Sequence, residues 1–155
     1  MTSKNLINIK NLSVSFGNNI VLNNINLHLS KKESLVIIGK SGSGKSVLLR
    51  CLMGLLKPDF GSIEIDNVDI VNANRIDKEK ALTNIGVTFQ NGALFDSLNV
   101  WENITFKQTR FFGFNKKAAK EKALSIIKNL ELNENILELY PSELSGGMQQ
   151  RIAIA

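Results

Sequence analysis

Gly39, Lys40, Ser41, Gly42, Ser43, Gly44, Lys45 and Ser46 follow the pattern G-x-x-x-x-G-K-S, with Val47 next in the chain. Glycines let the backbone wrap an anion with its N–H groups pointing inward, and a helix starting at the end of the loop adds the positive end of its dipole. Such a loop belongs between a buried strand and a helix start, and both flanks are present. Leu35, Val36, Ile37 and Ile38 are an unbroken apolar run, which predicts a parallel strand buried on both faces. Lys45 to Leu55 predicts a helix, ended by Lys57 and Pro58. In this arrangement Lys45 reaches the outer phosphates of a nucleotide and the Ser46 hydroxyl ligates Mg²⁺. The loop alone does not choose among kinase, GTPase, helicase and transporter.

Upstream of the loop, Ile7 and Ile9, then Leu12, Val14 and Phe16, then Ile25, Leu27 and Leu29 alternate with polar residues. This predicts short strands of a half-buried antiparallel sheet, with a turn at Gly17, Asn18 and Asn19. His28, the only histidine, falls on the polar phase and is expected to be exposed. Gly61 to Ile70 predicts a further strand and turn, Lys78 to Thr83 a short helix, and Ile85 to Phe89 a second buried strand. Beyond Gln90 the pattern is helical: Ala123, Ile126, Ile127 and Leu130 recur at i, i+3, i+4 and i+7, with Asn115 placed to cap that helix.

Composition excludes several classes. The single cysteine, Cys51, leaves no partner for an internal disulfide or a multi-cysteine zinc site, and it reads as a small buried apolar residue. No apolar stretch is long enough to span a bilayer, and the first ten residues lack the features of a secretory signal, so a cytosolic setting is expected. A net charge of +5 suits anionic partners. The lysines at 116, 117, 120 and 122 read as a solvated helix face, and no nucleic-acid partner is expected.

Near the end of the chain stand Leu144, Ser145, Gly146, Gly147, Met148, Gln149, Gln150 and Arg151. With the phosphate loop, and with Gln90 at the end of the apolar run Ile85 to Phe89, this segment resembles the ABC ATPase family, in the family's motif order and over essentially the whole chain. The resemblance implies an α/β fold: a P-loop NTPase (ABC ATPase) core with an N-terminal antiparallel β-subdomain and a helical insertion, incomplete at the C-terminus. On that reading 1–90 hold the β-subdomain and loop core, 91–146 the helical subdomain, and 147–155 the start of the signature helix.

What the resemblance implies for function is specific. ATP and Mg²⁺ are the expected ligands, with residues 39–47 around the phosphates and Ser46 and Gln90 at the metal. Lys45 and Gln90 are the expected catalytic residues. Leu144, Ser145, Gly146, Gly147, Met148 and Gln149 are expected to contact ATP held by a second subunit in a head-to-tail homodimer. Phe16 occupies the family's adenine-stacking position, a contact worth ~1–3 kcal/mol; the competing reading is a core residue of its strand. A transmembrane permease is the other expected partner, with the chain peripheral on the cytoplasmic face of the inner membrane and touching the membrane only through that permease. The segments Gly92 to Asn103 and Tyr140 to Met148 look most like the ATPases of Mla/Mce-type lipid transporters. Trp101, Phe106, Phe111, Phe112 and Phe114 read either as part of a groove for the permease or as core.

Family members continue past the signature helix to an apolar strand ending in aspartate and glutamate, then a D-loop and a switch histidine. This sequence stops at Ala155. Loss of a general base alone costs ~10²–10⁴ in rate, so ATP binding with little hydrolysis is expected of this chain by itself. The strand at 35–38 is expected to be left partly uncovered. A nucleotide-binding regulatory module without turnover, and a soluble ABC protein of DNA repair or translation, are the alternatives.

Overall fold

The apolar phase of the first strand reverses midway, from odd positions at Ile7 and Ile9 to even ones at Leu12 and Val14. In the computed structural model, which describes residues 5–83, 85–89 and 92–155, both sets still meet the core because the strand bulges between them. Strand β1 (Asn5–Phe16) shifts register between Ile9 and Leu12, where Asn11 takes φ 51. The Asn11 N–H donates to Oδ1 of Asn26 at 2.9 Å. Strand β2 (Asn19–Ser30) reverses phase in the same way at Asn24, φ 52, whose N–H donates to Oγ of Ser13 at 3.0 Å. The predicted short strands are therefore one long hairpin, since a bulge breaks the period without ending the strand.

Strand β3 (Phe60–Ile65) pairs with the other edge of β1 and with the two-residue β4 (Val68–Asp69), giving an antiparallel sheet in the order β2-β1-β3-β4. Gly61 is required where β3 crosses the bulge. A Cβ there would lie 2.5 Å from the Lys10 carbonyl oxygen, and its φ is +92. Helix α1 (Lys45–Leu52) adds Leu48 and Cys51 to a core built from Ile9, Leu12, Val14, Ile63 and Ile65. Leu12 and Ile63 are wholly buried, and each contributes about 1.5–3 kcal/mol. His28 is exposed, as expected.

Helix α1 stops three residues short of the predicted end. Gly54, at φ 66, accepts the left-handed turn, its N–H donates to Cys51 O at 2.9 Å and the Leu55 N–H to Arg50 O at 2.9 Å. Gly54 thus ends the helix before Pro58 can. Helix α2 (Arg75–Leu82) begins three residues before the predicted Lys78, because Oδ1 of Asn74 caps it by accepting from the Asp77 N–H at 2.9 Å.

The two predicted buried strands are corrected. Residues 35–38 and 85–89 form no strand, and Val36, Ile38 and Phe89 are exposed, Ile38 by 86%. A strand exists only with a hydrogen-bonded neighbour, and the four-stranded sheet leaves both runs unpaired among the described residues. The uncovering expected at 35–38 is thus larger than a partial one.

The chain divides into two compact units, Met1–Gly86 and Val87–Ala155. The second holds helices α3 (Val100–Ile104), α4 (Phe106–Phe111), α5 (Lys116–Asn129) and α6 (Gly146–Ile154), with 3-10 turns at Glu134–Glu138 and Pro141–Glu143. Asn99 and Glu102 form a capping box on α3, and Asn115 caps α5 as predicted, accepting from the Ala118 N–H at 2.9 Å. Ala119, Ala123 and Ile127 are wholly buried, so α5 packs closely on α3. Trp101 belongs to this core with Val100, Ile104, Leu144 and Ile152. The aromatic set splits: Trp101 is buried and Phe106 half-buried, while Phe111, Phe112 and Phe114 are exposed.

Candidate functional site

A lysine is a poor choice for the first position of a helix, where the dipole favours negative charge. Helices α2 and α3 follow that preference with Asp77 and Glu102 in their first turns. Helix α1 opens on Lys45 and carries no acid in its first turn. Helix α5 also opens on lysines, but Asn115 caps it, whereas Gly44 gives α1 no side-chain cap at all. The N-terminus of α1 thus presents only positive charge, a setting that favours an anion.

The loop is shaped for that purpose. Lys45 folds back over it, its Nζ donating to the carbonyl oxygens of Gly39 and Lys40 at 2.8 Å each and lying 3.5 Å from Oγ of Ser43. The Ser43 N–H closes the turn onto Lys40 O at 3.2 Å. Gly42 and Gly44 have φ 78 and 89. Gly44 is also hemmed in, since a Cβ would lie 2.9 Å from Cδ2 of Leu22 and 3.0 Å from the Val21 carbonyl oxygen. A Cβ on Gly39 would meet Oγ of Ser43 at 2.7 Å. Ser41 and Ser46 are exposed and Val47 is half-buried. A cradle of small residues with an ammonium at its mouth and a free hydroxyl one residue on fits a magnesium–nucleotide.

Behind the loop lies an open depression of about 260 Å³, lined by Leu22, Ile25, Ile37, Ile38 and Leu48 beside the loop residues. A larger depression, about 530 Å³, lies elsewhere, against Ile7, Ile65 and Ala81, and holds none of the loop. Phe16 ends β1 with half of its surface exposed, so it is not a core residue. Val21 and Leu22 form the footing of Gly44, and Leu22 pairs with Val14. Phe16 therefore lies two residues, about 7 Å of strand, beyond that footing. Gln90 lies outside the described residues. Among those described, no group of three or more acidic, histidine or cysteine side chains is arranged to hold a metal, so of the two expected metal contacts the structure describes only Ser46.

The second segment is built around α6. Ser145 caps it, its Oγ accepting from the Met148 N–H at 3.3 Å. Leu144 is buried and anchors the turn. Gly146 and Gly147 have nothing within 4 Å of a would-be Cβ and no positive φ, so nothing among the described residues requires glycine there. Met148 packs against the core of its unit. The carboxamide of Gln149 turns back into the chain, Nε2 donating to Pro141 O at 2.8 Å and Leu144 O at 3.4 Å. Sequence reading placed Gln149 outward and had no means of finding the carbonyls of Gly39, Lys40 and Pro141, because backbone groups leave no mark in residue type.

A glycine-rich anion loop between an antiparallel sheet and a helix, followed by a helical unit with a capped glycine-led helix, defines a P-loop nucleotide-binding protein. Residues 22–155 match the family model described as ABC transporter, and the chain belongs to that family. The ergothioneine transport ATP-binding protein EgtV of Helicobacter pylori (strain G27) is 38% identical over 97% of this chain and 68% of its own length. The glutamine transport ATP-binding protein GlnQ of Escherichia coli (strain K12) is 42% identical over 97% of this chain and 62% of its own length. The dimeric ATP-binding cassette MJ0796, solved in a post-hydrolysis state with ADP and Pi, superposes with a TM-score of 0.79 at 32% identity, covering 96% of this chain and 67% of that one. The chain thus spans only part of the relatives it matches, 68% and 62% of the two named transport proteins. The fold is the ABC ATPase P-loop fold with its antiparallel N-terminal sheet and helices. No helix among the described residues is long and apolar enough to cross a membrane.

Proposed function

We propose that this chain is the ATP-binding part of an ABC transporter, peripheral to a transmembrane permease on the cytoplasmic face of the membrane. One observation carries the reading: the Lys45 ammonium sits at the mouth of a glycine cradle, at a helix start that has neither an acid nor a cap of its own. In this role Lys45 and the loop N–H groups hold the outer phosphates, Ser46 ligates Mg²⁺ together with phosphate oxygens, Gln90 contributes at the metal and Phe16 stacks on the adenine. Bound magnesium–ATP supplies the phosphoanhydride whose cleavage drives transport in the family. Ser145 with the N–H groups near Gly146 and Gly147 meets the nucleotide held by a second copy, head to tail. The open space around both glycines supports a close approach there.

For the transported substrate, the names of the relatives favour a small solute such as an amino acid or ergothioneine. The expectation of a lipid substrate, drawn from two loops, gains no support from them. The loop reading is tested by titrating the chain and Lys45→Ala with Mg-ATP. Removing hydrogen bonds to a charged phosphate is expected to cost ~1.5–3 kcal/mol. Superimposable titration curves would show that the loop is not a phosphate site.

A further inference from the structure

The turn that presents Ser145 is anchored on its upstream side by the buried Leu144, whose N–H donates to Pro141 O at 3.1 Å. Downstream of it, a Cβ on Gly146 or Gly147 would meet nothing within 4 Å among the described residues, and the cap in which Ser145 Oγ accepts from the Met148 N–H is long at 3.3 Å. Upstream, the Tyr140 N–H donates to Oε2 of Glu143 at 2.7 Å, which fixes the 3-10 turn but not its junction with α6. That junction is spanned by Gln149. From the second turn of α6 its half-buried carboxamide reaches Pro141 O at 2.8 Å and Leu144 O at 3.4 Å, on either side of the 3-10 turn. Its Nε2 thus reaches two carbonyls, one of which, Pro141 O, also accepts from the Leu144 N–H at 3.1 Å.

We infer that Gln149 is a positioning residue: it ties the 3-10 turn to α6, so that Ser145 and the N–H groups after it stand in the arrangement that receives an anion from a second copy. The inference rests on the proposed role of this segment. A preorganised donor set binds more tightly because ordering it costs nothing at the moment of contact. Side-chain chemistry makes the role specific. Methionine has the length of glutamine but no donor, glutamate would set a third acceptor against two carbonyls, and lysine restores a donor of similar reach.

The test measures two quantities on the same proteins: Mg-ATP affinity at concentrations where the chain is monomeric, and ATP-dependent self-association by sedimentation velocity. Gln149→Met is expected to leave the first unchanged, because the phosphate loop is not altered. It is expected to weaken association on the order of tenfold for each loop used, as losing one hydrogen bond does. Gln149→Lys should recover most of the loss, which a general loosening of the fold would not allow. Ser145→Ala separates this inference from the reading beneath it. If Ser145→Ala weakens association and Gln149→Met does not, the positioning role is wrong while the segment's role stands. If the chain shows no ATP-dependent association, or neither substitution alters it, the segment's role fails and the positioning role fails with it. A Gln149→Met chain that also loses Mg-ATP affinity would show a global defect and overturn the inference.

Discussion

The ammonium of Lys45 donates to the carbonyl oxygen of Gly39 at 2.8 Å, so the first and seventh residues of the loop are joined across its mouth. The same nitrogen holds Lys40 O at 2.8 Å. With these two carbonyls turned toward one cation, and the Ser43 N–H closing the turn onto Lys40 O, the N–H groups at the start of α1 are the ones placed to face an anion.

This geometry separates charge from shape. Lys45→Arg keeps the charge, but a planar guanidinium does not fit between two carbonyls spaced for an ammonium. Mg-ATP affinity should fall by about tenfold or more, since hydrogen bonds to charged groups are worth ~1.5–3 kcal/mol. The midpoint of thermal unfolding should move little, because the lysine is only half-buried. Isothermal titration and a melting curve on the same variant check both halves.

Two loop glycines should respond differently to alanine. Gly42 has φ +78 and open space, so Gly42→Ala should cost only the left-handed backbone penalty, about 1 kcal/mol. Gly44 has φ +89 and contacts at 2.9–3.1 Å from Leu22 and Val21, so Gly44→Ala must also push β2 away. A further ~1–3 kcal/mol is expected from overpacking. Urea denaturation of the two variants gives the comparison, and equal midpoints would contradict it.

Cys51 is buried among Leu48, Ile70 and their neighbours, and burial, with the Asp59 carboxylate adding to it, pushes its thiol up from the ordinary value. Only the thiolate reacts with alkylating agents. At pH 8 the native chain should be alkylated slower than the urea-unfolded chain by roughly a hundredfold. Mass spectrometry over time measures both rates, and similar rates would place Cys51 at the surface.

Glu138 accepts from Nζ of Lys120, and that hydrogen bond holds its carboxyl below the usual range, helped by the charge of Lys120 and Lys116. Both lysines also lie over the Trp101 ring, Nζ of Lys120 at 5.5 Å and Nζ of Lys116 at 5.9 Å from its centroid. A carboxyl whose folded pKa is depressed adds stability that is present above its unfolded pKa and is lost as pH falls through the folded one. The carboxylate is well exposed, so the contribution is small. Glu138→Gln should lower stability slightly at neutral pH and leave it unchanged at the acid end, so that the two unfolding curves converge as pH falls below the carboxylate range. Curves that stay parallel would show that the pair contributes nothing.

The sequence by itself determined the local features: the loop at 39–46, the start of α1, the Asn115 cap of α5 and the apolar face of that helix. Each depends on residues within one or two turns of one another, so composition and spacing carry the information. The alternating strands were legible as strands, but not as one hairpin. Only pairing between β1 and β2 shows that the phase reversals at Asn11 and Asn24 are bulges. Residues 35–38 and 85–89 mark the limit most clearly. Their apolar runs carry the pattern of buried strands, yet burial and pairing are supplied by neighbours distant in sequence, and the described residues supply none. Tertiary structure likewise decided that Phe16 is exposed, that Trp101 is core and that Gln149 faces inward, since a side chain's direction is set by the backbone groups and packing it meets in space.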